Sequence, residues 1–276
     1  MVYVEKDLTF YNIMKYPIPT QSDFFVYWKK ITIEWEFDKK KFSRDEKNKF
    51  MDKFITEINK HGKLYKSLPF VSEIFLCNSI TFNALKEDSD IDIFIIAKNG
   101  AMRRARFFSA LFFKLLWLKR SITNKKLKYC LSFYITNDNK NLYPIILPNK
   151  SDIYLAYRLA HLVPLYHEDD TIKNIYKSNP WFESYLPNHL QEYLINIGVD
   201  NFSWSTKFKK ILEFIFWWFI WKITENIIKI FWAPILKNKV KKLWNKWKQI
   251  VISDKMLKFH DDIRSIISDT HSNYIH

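Results

Sequence analysis

The sequence predicts an α+β protein, a small β-sheet flanked by helices. Three observations predict it. Three short apolar runs, residues 71–77, 90–97 and 129–135, have the length of strands and are bounded by polar turns. Between the second and third, residues 101–118 place Ala105, Phe108, Leu111, Phe112, Leu115 and Leu116 at helical spacing. Further helical patterns lie on both sides, at residues 42–61, 152–162 and 207–248. These patterns divide the chain into an N-terminal helical segment (1–68), a core that holds the strands (69–150) and a C-terminal helical region (151–276).

A chain of 276 residues, 48% of them hydrophobic, can bury a real core, and it is too apolar to be disordered over most of its length. With only Cys77 and Cys130 it has no disulfide framework. The opening residues show no basic-then-apolar signal pattern, so a cytoplasmic protein is expected. The net charge of +15 has two readings. One is attraction to RNA or another anionic partner, including an anionic membrane surface. The other is compositional bias: of 44 basic residues only 7 are Arg, and Arg is the usual bidentate phosphate reader.

Along the N-terminal segment, residues 8–14 suggest a short helix that Pro17 and Pro19 end. Thr20, Ser22 or Asp23 can cap a second helix, and residues 31–37 alternate like a strand. Phe50, Phe54, Ile55 and Ile58 form the apolar side of the 42–61 helix.

The richest stretch is residues 75–96, FLCNSITFNALKEDSDIDIFII. Alternation puts Asp90 and Asp92 on one face of the second strand and Ile91, Ile93 and Ile95 on the other. Two neighbouring carboxylates are costly unless a cation sits between them. A divalent metal carrying a triphosphate answers that need. The competing reading is a solvated acidic turn with Glu87 and Asp88, but Asp92 lies inside an apolar run. Upstream, Asn78-Ser79 begins a turn into a short helix over residues 81–85. Amides at such a helix start can hold phosphate, or the two residues merely cap it.

This stretch resembles the nucleotidyltransferase superfamily with the DNA polymerase beta-like fold, above all its minimal prokaryotic members. Gly-Ser, a spacer and then Asp-x-Asp on a strand is the signature. Here Ser79 lies eleven residues before Asp90, and Asn78 stands where Gly is usual. The resemblance covers about residues 70–135, with looser likeness in residues 11–25, 154–166 and 257–264 to a poorly characterised bacterial branch. It implies a mixed sheet, with Asp90 and Asp92 as catalytic ligands of Mg²⁺ or Mn²⁺. Asn78, Ser79 and Ser89 are then candidate nucleotide contacts. Arg103 and Arg106 are further phosphate candidates, because cations at a helix start oppose its dipole and call for an anionic neighbour. The implied reaction is transfer of an NMP from an NTP to an acceptor hydroxyl, with release of pyrophosphate. The family's third carboxylate falls on the strand at residues 129–135, which has no acid. Asp138 beyond its end is the candidate substitute. A nucleotide- or RNA-binding member without activity is the alternative.

In the C-terminal region, residues 152–162 form an amphipathic helix, and Glu168-Asp169-Asp170 precedes another. Residues 179–186 read as a turn with buried aromatics. Ile211, Ile215, Phe219, Ile223, Ile227 and Phe231 make an i, i+4 ridge. The apolar centre, residues 214–221, is far short of the roughly 20 residues a spanning helix needs. Three readings stay open for residues 207–248: a buried bundle helix, a partner or homodimer helix, and a helix lying at a membrane surface. Residues 257–267 suggest a last amphipathic helix. No P-loop, zinc spacing or Ser-His-Asp arrangement is present.

Overall fold

The strand Ile91–Ala97 (β2) lies at the centre of the sheet and is buried on both faces, apart from Asp92 at its start. The structure is a computed structural model. It describes residues 49–81, 85–121, 123–147, 152–167, 171–184, 203–218 and 251–258. Two helices, Met51–Lys60 (α1) and Gly62–Ser67 (α2), precede Val71–Leu76 (β1). After β2 come Met102–Leu115 (α3), Tyr129–Thr136 (β3), Ile153–Ala160 (α4) and Val163–Tyr166 (β4). Thr171–Lys177 (α5), Ser203–Trp218 (α6), Val251–Ile252 (β5) and Met256–Lys258 (β6) follow.

The six strands form one mixed sheet in the order β4-β1-β2-β3-β6-β5. Only β2 and β3 run parallel; the other pairs are antiparallel. A parallel pair needs a crossover, which α3 supplies. Gly100, with φ of 65°, turns the chain from β2 into α3. The fold is therefore α+β, as expected. The helical reading of residues 151–276 holds for α4, α5 and α6 and misses β4, β5 and β6. Residues 257–258 belong to β6, because pairing with β3 overrides their helical pattern. The expected helix over residues 81–85 is not found at either end: Thr81 lies in a turn and Leu85 in no element. Residues 82–84 lie outside the described residues. So do the elements expected within residues 1–48, most of the 207–248 segment and the continuation beyond residue 258.

The pleat sorts β2 between two cores. Ile91, Ile93 and Ile95 pack with Phe54, Ile58, Tyr65, Ala105 and Phe108 beneath α1, α2 and α3. Phe94 and Ile96 pack on the other side with Phe75, Phe133, Leu155, Leu159 and Ile175. The rings of Phe75, Phe94 and Phe133 form a row across three strands, with centroids 6.2 and 4.6 Å apart. In the pairing of β2 with β3, Asp92 faces Cys130 and Phe94 faces Phe133, so β3 carries one extra residue. This is a β-bulge, and it keeps Cys130 and Phe133 on one face although they are three residues apart.

Polar contacts close the first core. The Tyr65 and Tyr129 hydroxyls hydrogen-bond at 2.5 Å, and Tyr65 donates to the Ile58 carbonyl. The α6 helix is tied to the sheet by Glu213, which accepts from the Phe70 amide at 2.8 Å and from Lys98 Nζ at 2.6 Å. Lys209 donates to the Val71 carbonyl and the Tyr166 hydroxyl, and Phe216 meets Phe108 edge-on. The expected i, i+4 ridge is not the face that docks. Ile211 and Ile215 are exposed, at 57% and 43%, because the helix is rotated to bring Lys209, Glu213 and Phe216 to the sheet.

Phe94→Ala empties the middle of the aromatic row, and a loss of about 3–5 kcal/mol is expected in urea unfolding. Ile211→Ser, on the exposed side of α6, should stay within about 0.5 kcal/mol of the parent.

Candidate functional site

The site forms where β1 ends and β2 begins. Because these strands are antiparallel neighbours, the turn after β1 lies beside the acids that open β2: the Cys77 amide donates to the Asp92 carbonyl at 3.1 Å. Residues 78–81 form the turn, and Asn78 has φ of 64°. The turn requires the left-handed region, which Gly adopts freely and Asn tolerates. Unlike Gly, Asn78 brings a side chain, and its Nδ2 donates to Asp92 Oδ2 at 3.0 Å. The other end of that amide, Oδ1, is buried and has no hydrogen-bond partner among the described residues. Ser79 is half-buried in the same turn.

Asp90 and Asp92 are both half-buried, and Cys130 joins them from β3. One ligand atom from each of the three lies within 4.8 Å of the others. Two arginines supply positive charge. Arg120 Nη1 donates to Asp90 Oδ2 and lies 3.7 Å from Cys130 Sγ. A parallel bridge between Lys119 and Tyr129 places it, as does the Arg120 amide, which donates to the Tyr129 carbonyl at 3.0 Å. From the other side, Arg158 of α4 lies over the Phe133 ring and donates to Cys77 Sγ at 3.4 Å.

Burial, and then the charge of Asp90, pushes the Asp92 carboxyl above the ordinary carboxylate range; Asn78, Arg158 and Cys130 pull it back. Burial, and then Asp92, pushes the Cys130 thiol well up, and Cys77 rises to about 11 chiefly through burial. Both thiols are therefore protonated at neutral pH, which makes them poor nucleophiles.

The structure brings together Asn78, Ser79, Asp90 and Asp92, and sets the other candidates elsewhere. Ser89 precedes the acids, and its hydroxyl accepts from the Lys86 amide at 2.9 Å, which fixes the turn before β2. Arg103 pairs with Asp254 at 2.5 Å, at the opposite end of the sheet. Arg106 lies over the Tyr134 ring on the α3 side, the face turned away from Asp92. The reason is common to both arginines: α3 covers the face that carries Ile91, Ile93 and Ile95. Asp138 is also remote. Strand β3 runs parallel to β2, so a residue beyond its end lies roughly 25 Å from its start. There it pairs with Lys255 at 3.0 Å. The position opposite Asp92 belongs to Cys130. His161 is in the turn that ends α4, and no metal group among the described residues contains it.

Sequence reasoning did not select Arg120, Cys130 or Arg158 as site residues. A signal for Cys130 was present, since it starts the strand expected to neighbour the acid-bearing one. None pointed to Arg120, in a loop of many cations, or to Arg158, whose contact requires the fold. Comparison of the chain with protein-family models, curated proteins and solved structures gives no match.

Because the Asp92 carboxyl is raised on folding, the folded chain favours its neutral form. That contribution is intact below the ordinary carboxylate pKa and is lost as pH rises through the folded value. Asp92→Asn should therefore stabilise the protein at pH 7, by about 0.5–2 kcal/mol. The gain should shrink toward about pH 4. Thermal melts at the two pH values test this, and an unchanged or lower melting temperature at pH 7 would refute it.

Proposed function

We propose that this chain is a nucleotidyltransferase of the DNA polymerase beta-like type, moving an NMP from an NTP to an acceptor hydroxyl and releasing pyrophosphate. The observation that carries the reading is the meeting of Asp90, Asp92 and the Asn78-Ser79 turn at one end of a mixed sheet. The left-handed backbone at Asn78 supports it further, since that is the geometry a Gly would serve at the usual Gly-Ser.

The residues fit a magnesium or manganese ion. Such an ion takes one or two carboxylates and completes its shell with substrate phosphate and water, and the buried Asn78 Oδ1 adds an unused oxygen nearby. Cys130 is soft and protonated and does not suit magnesium. Held by Asp90 and Asp92, the ion would neutralise charge developing on the phosphates. The chain's own residues would do the positioning. The Ser79 hydroxyl and the amides of the 78–81 turn would hold the triphosphate. Asn78 would fix the Asp92 carboxylate through its Nδ2, and Arg158 would offset part of its charge.

In this reaction the acceptor oxygen attacks the α-phosphorus in line, the bond to pyrophosphate breaks, and the hydroxyl proton must leave. A carboxylate on the third strand would be suited to take that proton, and position 130 offers a protonated thiol. Cys130 therefore favours a second reading, a member that binds nucleotide or RNA without turnover. Exposed Ile211, Phe214 and Ile215 favour a third, in which residues 207–248 contact a membrane surface or a second copy of the chain.

Calorimetry with each of the four NTPs and Mg²⁺ tests the site. At least one should bind, and Asp90→Ala and Asp92→Ala should weaken that binding by about tenfold or more. Release of pyrophosphate then separates the enzyme from the silent module. Binding that both variants leave intact would overturn the assignment of the site.

A further inference from the structure

The proposed site needs a cation between its acids, and the chain already supplies one. Arg120 Nη1 sits on Asp90 Oδ2, one of the two oxygens through which Asp90 could hold a metal ion. The guanidinium also reaches Cys130 Sγ, so it touches two of the three members of the Asp90, Asp92 and Cys130 group. Its backbone is fixed at the start of β3 by the hydrogen bond to Tyr129, while its side chain remains 38% exposed. A side chain of that length, anchored at its base and open to solvent at its tip, can leave one anionic partner for another without moving the sheet.

We infer that Arg120 is an exchangeable counter-ion: it neutralises Asp90 in the metal-free protein and passes to the nucleotide's phosphates when the acids take up a divalent cation. This rests on the reading of the acids as a metal and nucleotide site. The physical argument is competition. Asp90 Oδ2 cannot keep a charge-assisted hydrogen bond to a guanidinium and also bind a divalent ion closely, since the two cations repel. A displaced guanidinium then needs an anion, and a triphosphate is the partner its planar donor fork suits best. Arg158 cannot take this part, because it is fully buried against Phe133 and Cys77.

The two halves of the inference have opposite signs, which a merely structural arginine would not produce. In Arg120→Ala the full-length protein should bind Mn²⁺ alone about tenfold more tightly. It should bind a non-hydrolysable NTP analogue, at saturating Mn²⁺, about tenfold more weakly. Mn²⁺ binding is read by electron paramagnetic resonance and nucleotide binding by calorimetry. Arg120→Lys keeps the charge and should stay near the parent for Mn²⁺. Lys126→Ala, in the same exposed loop, removes a charge that pairs with Glu87 rather than with Asp90 or Asp92, and should change neither. Thermal melts check that each variant is folded, and Arg120→Ala, which leaves Asp90 without its guanidinium, should melt slightly below the parent. Arg120→Ala with unchanged or weaker Mn²⁺ binding, or with unchanged nucleotide binding, overturns the role of Arg120. The metal site itself survives that result if the parent binds Mn²⁺ and Asp92→Ala abolishes binding. No Mn²⁺ binding by any of these proteins overturns the metal-site reading and the counter-ion with it.

Discussion

Two carboxylates share the head of one strand, and everything around them answers their mutual repulsion. Asp90 is met by a guanidinium, Asp92 by a carboxamide, and a second guanidinium is buried under α4 against Cys77 and Phe133. The compensation is incomplete, since the carboxyl of Asp92 is still raised. Residual like-charge tension of this kind marks places where stability yields to function. Elsewhere in the sheet the same strands satisfy ordinary packing rules, with aliphatic side chains toward α3 and a row of phenyl rings toward α4 and α5.

The geometry follows from topology more than from local propensity. An antiparallel β1–β2 pair returns the 78–81 turn to the acids, and a parallel β2–β3 pair starts its third strand at the same end. Three chain segments, residues 78–81, 90–92 and 120–130, therefore converge on one end of the sheet. The crossover helix that makes the parallel pair possible is also what removes Arg103 and Arg106 from the site. It must cover the face opposite to Asp92, and it begins at the far end of the sheet.

Much of this was legible in the sequence. The strands at residues 71–77, 90–97 and 129–135 and the helices around residues 51–60, 102–115, 153–160 and 171–177 follow from period and turn residues. So does the placement of Asp90 and Asp92 on one face. The short strands were not legible. Residues 163–166 and 256–258 are too brief to show a period, and they are strands only because β1 and β3 offer free edges. The docked face of α6 was not legible because its contacts include a lysine and a glutamate, residues that pattern analysis assigns to solvent. Arg120 was hidden for a similar reason: among so many cations, composition gives no means of telling a site residue from a solvated one.

The irregular pairing of β3 also constrains how the chain can change. One surplus residue between Cys130 and Phe133 lets a polar position and an aromatic position occupy the same side of the sheet despite their odd separation. Deleting Ser132 would leave the two positions two residues apart, the spacing at which regular pleating itself keeps side chains on one face. Straightening the strand without shortening it would force a choice: either the phenyl row stays in line and the thiol turns toward α3, or the thiol stays and the ring is stranded. Loss of the surplus residue should therefore be tolerated more readily than loss of a paired residue of β3, which would shift the phase of everything beyond it.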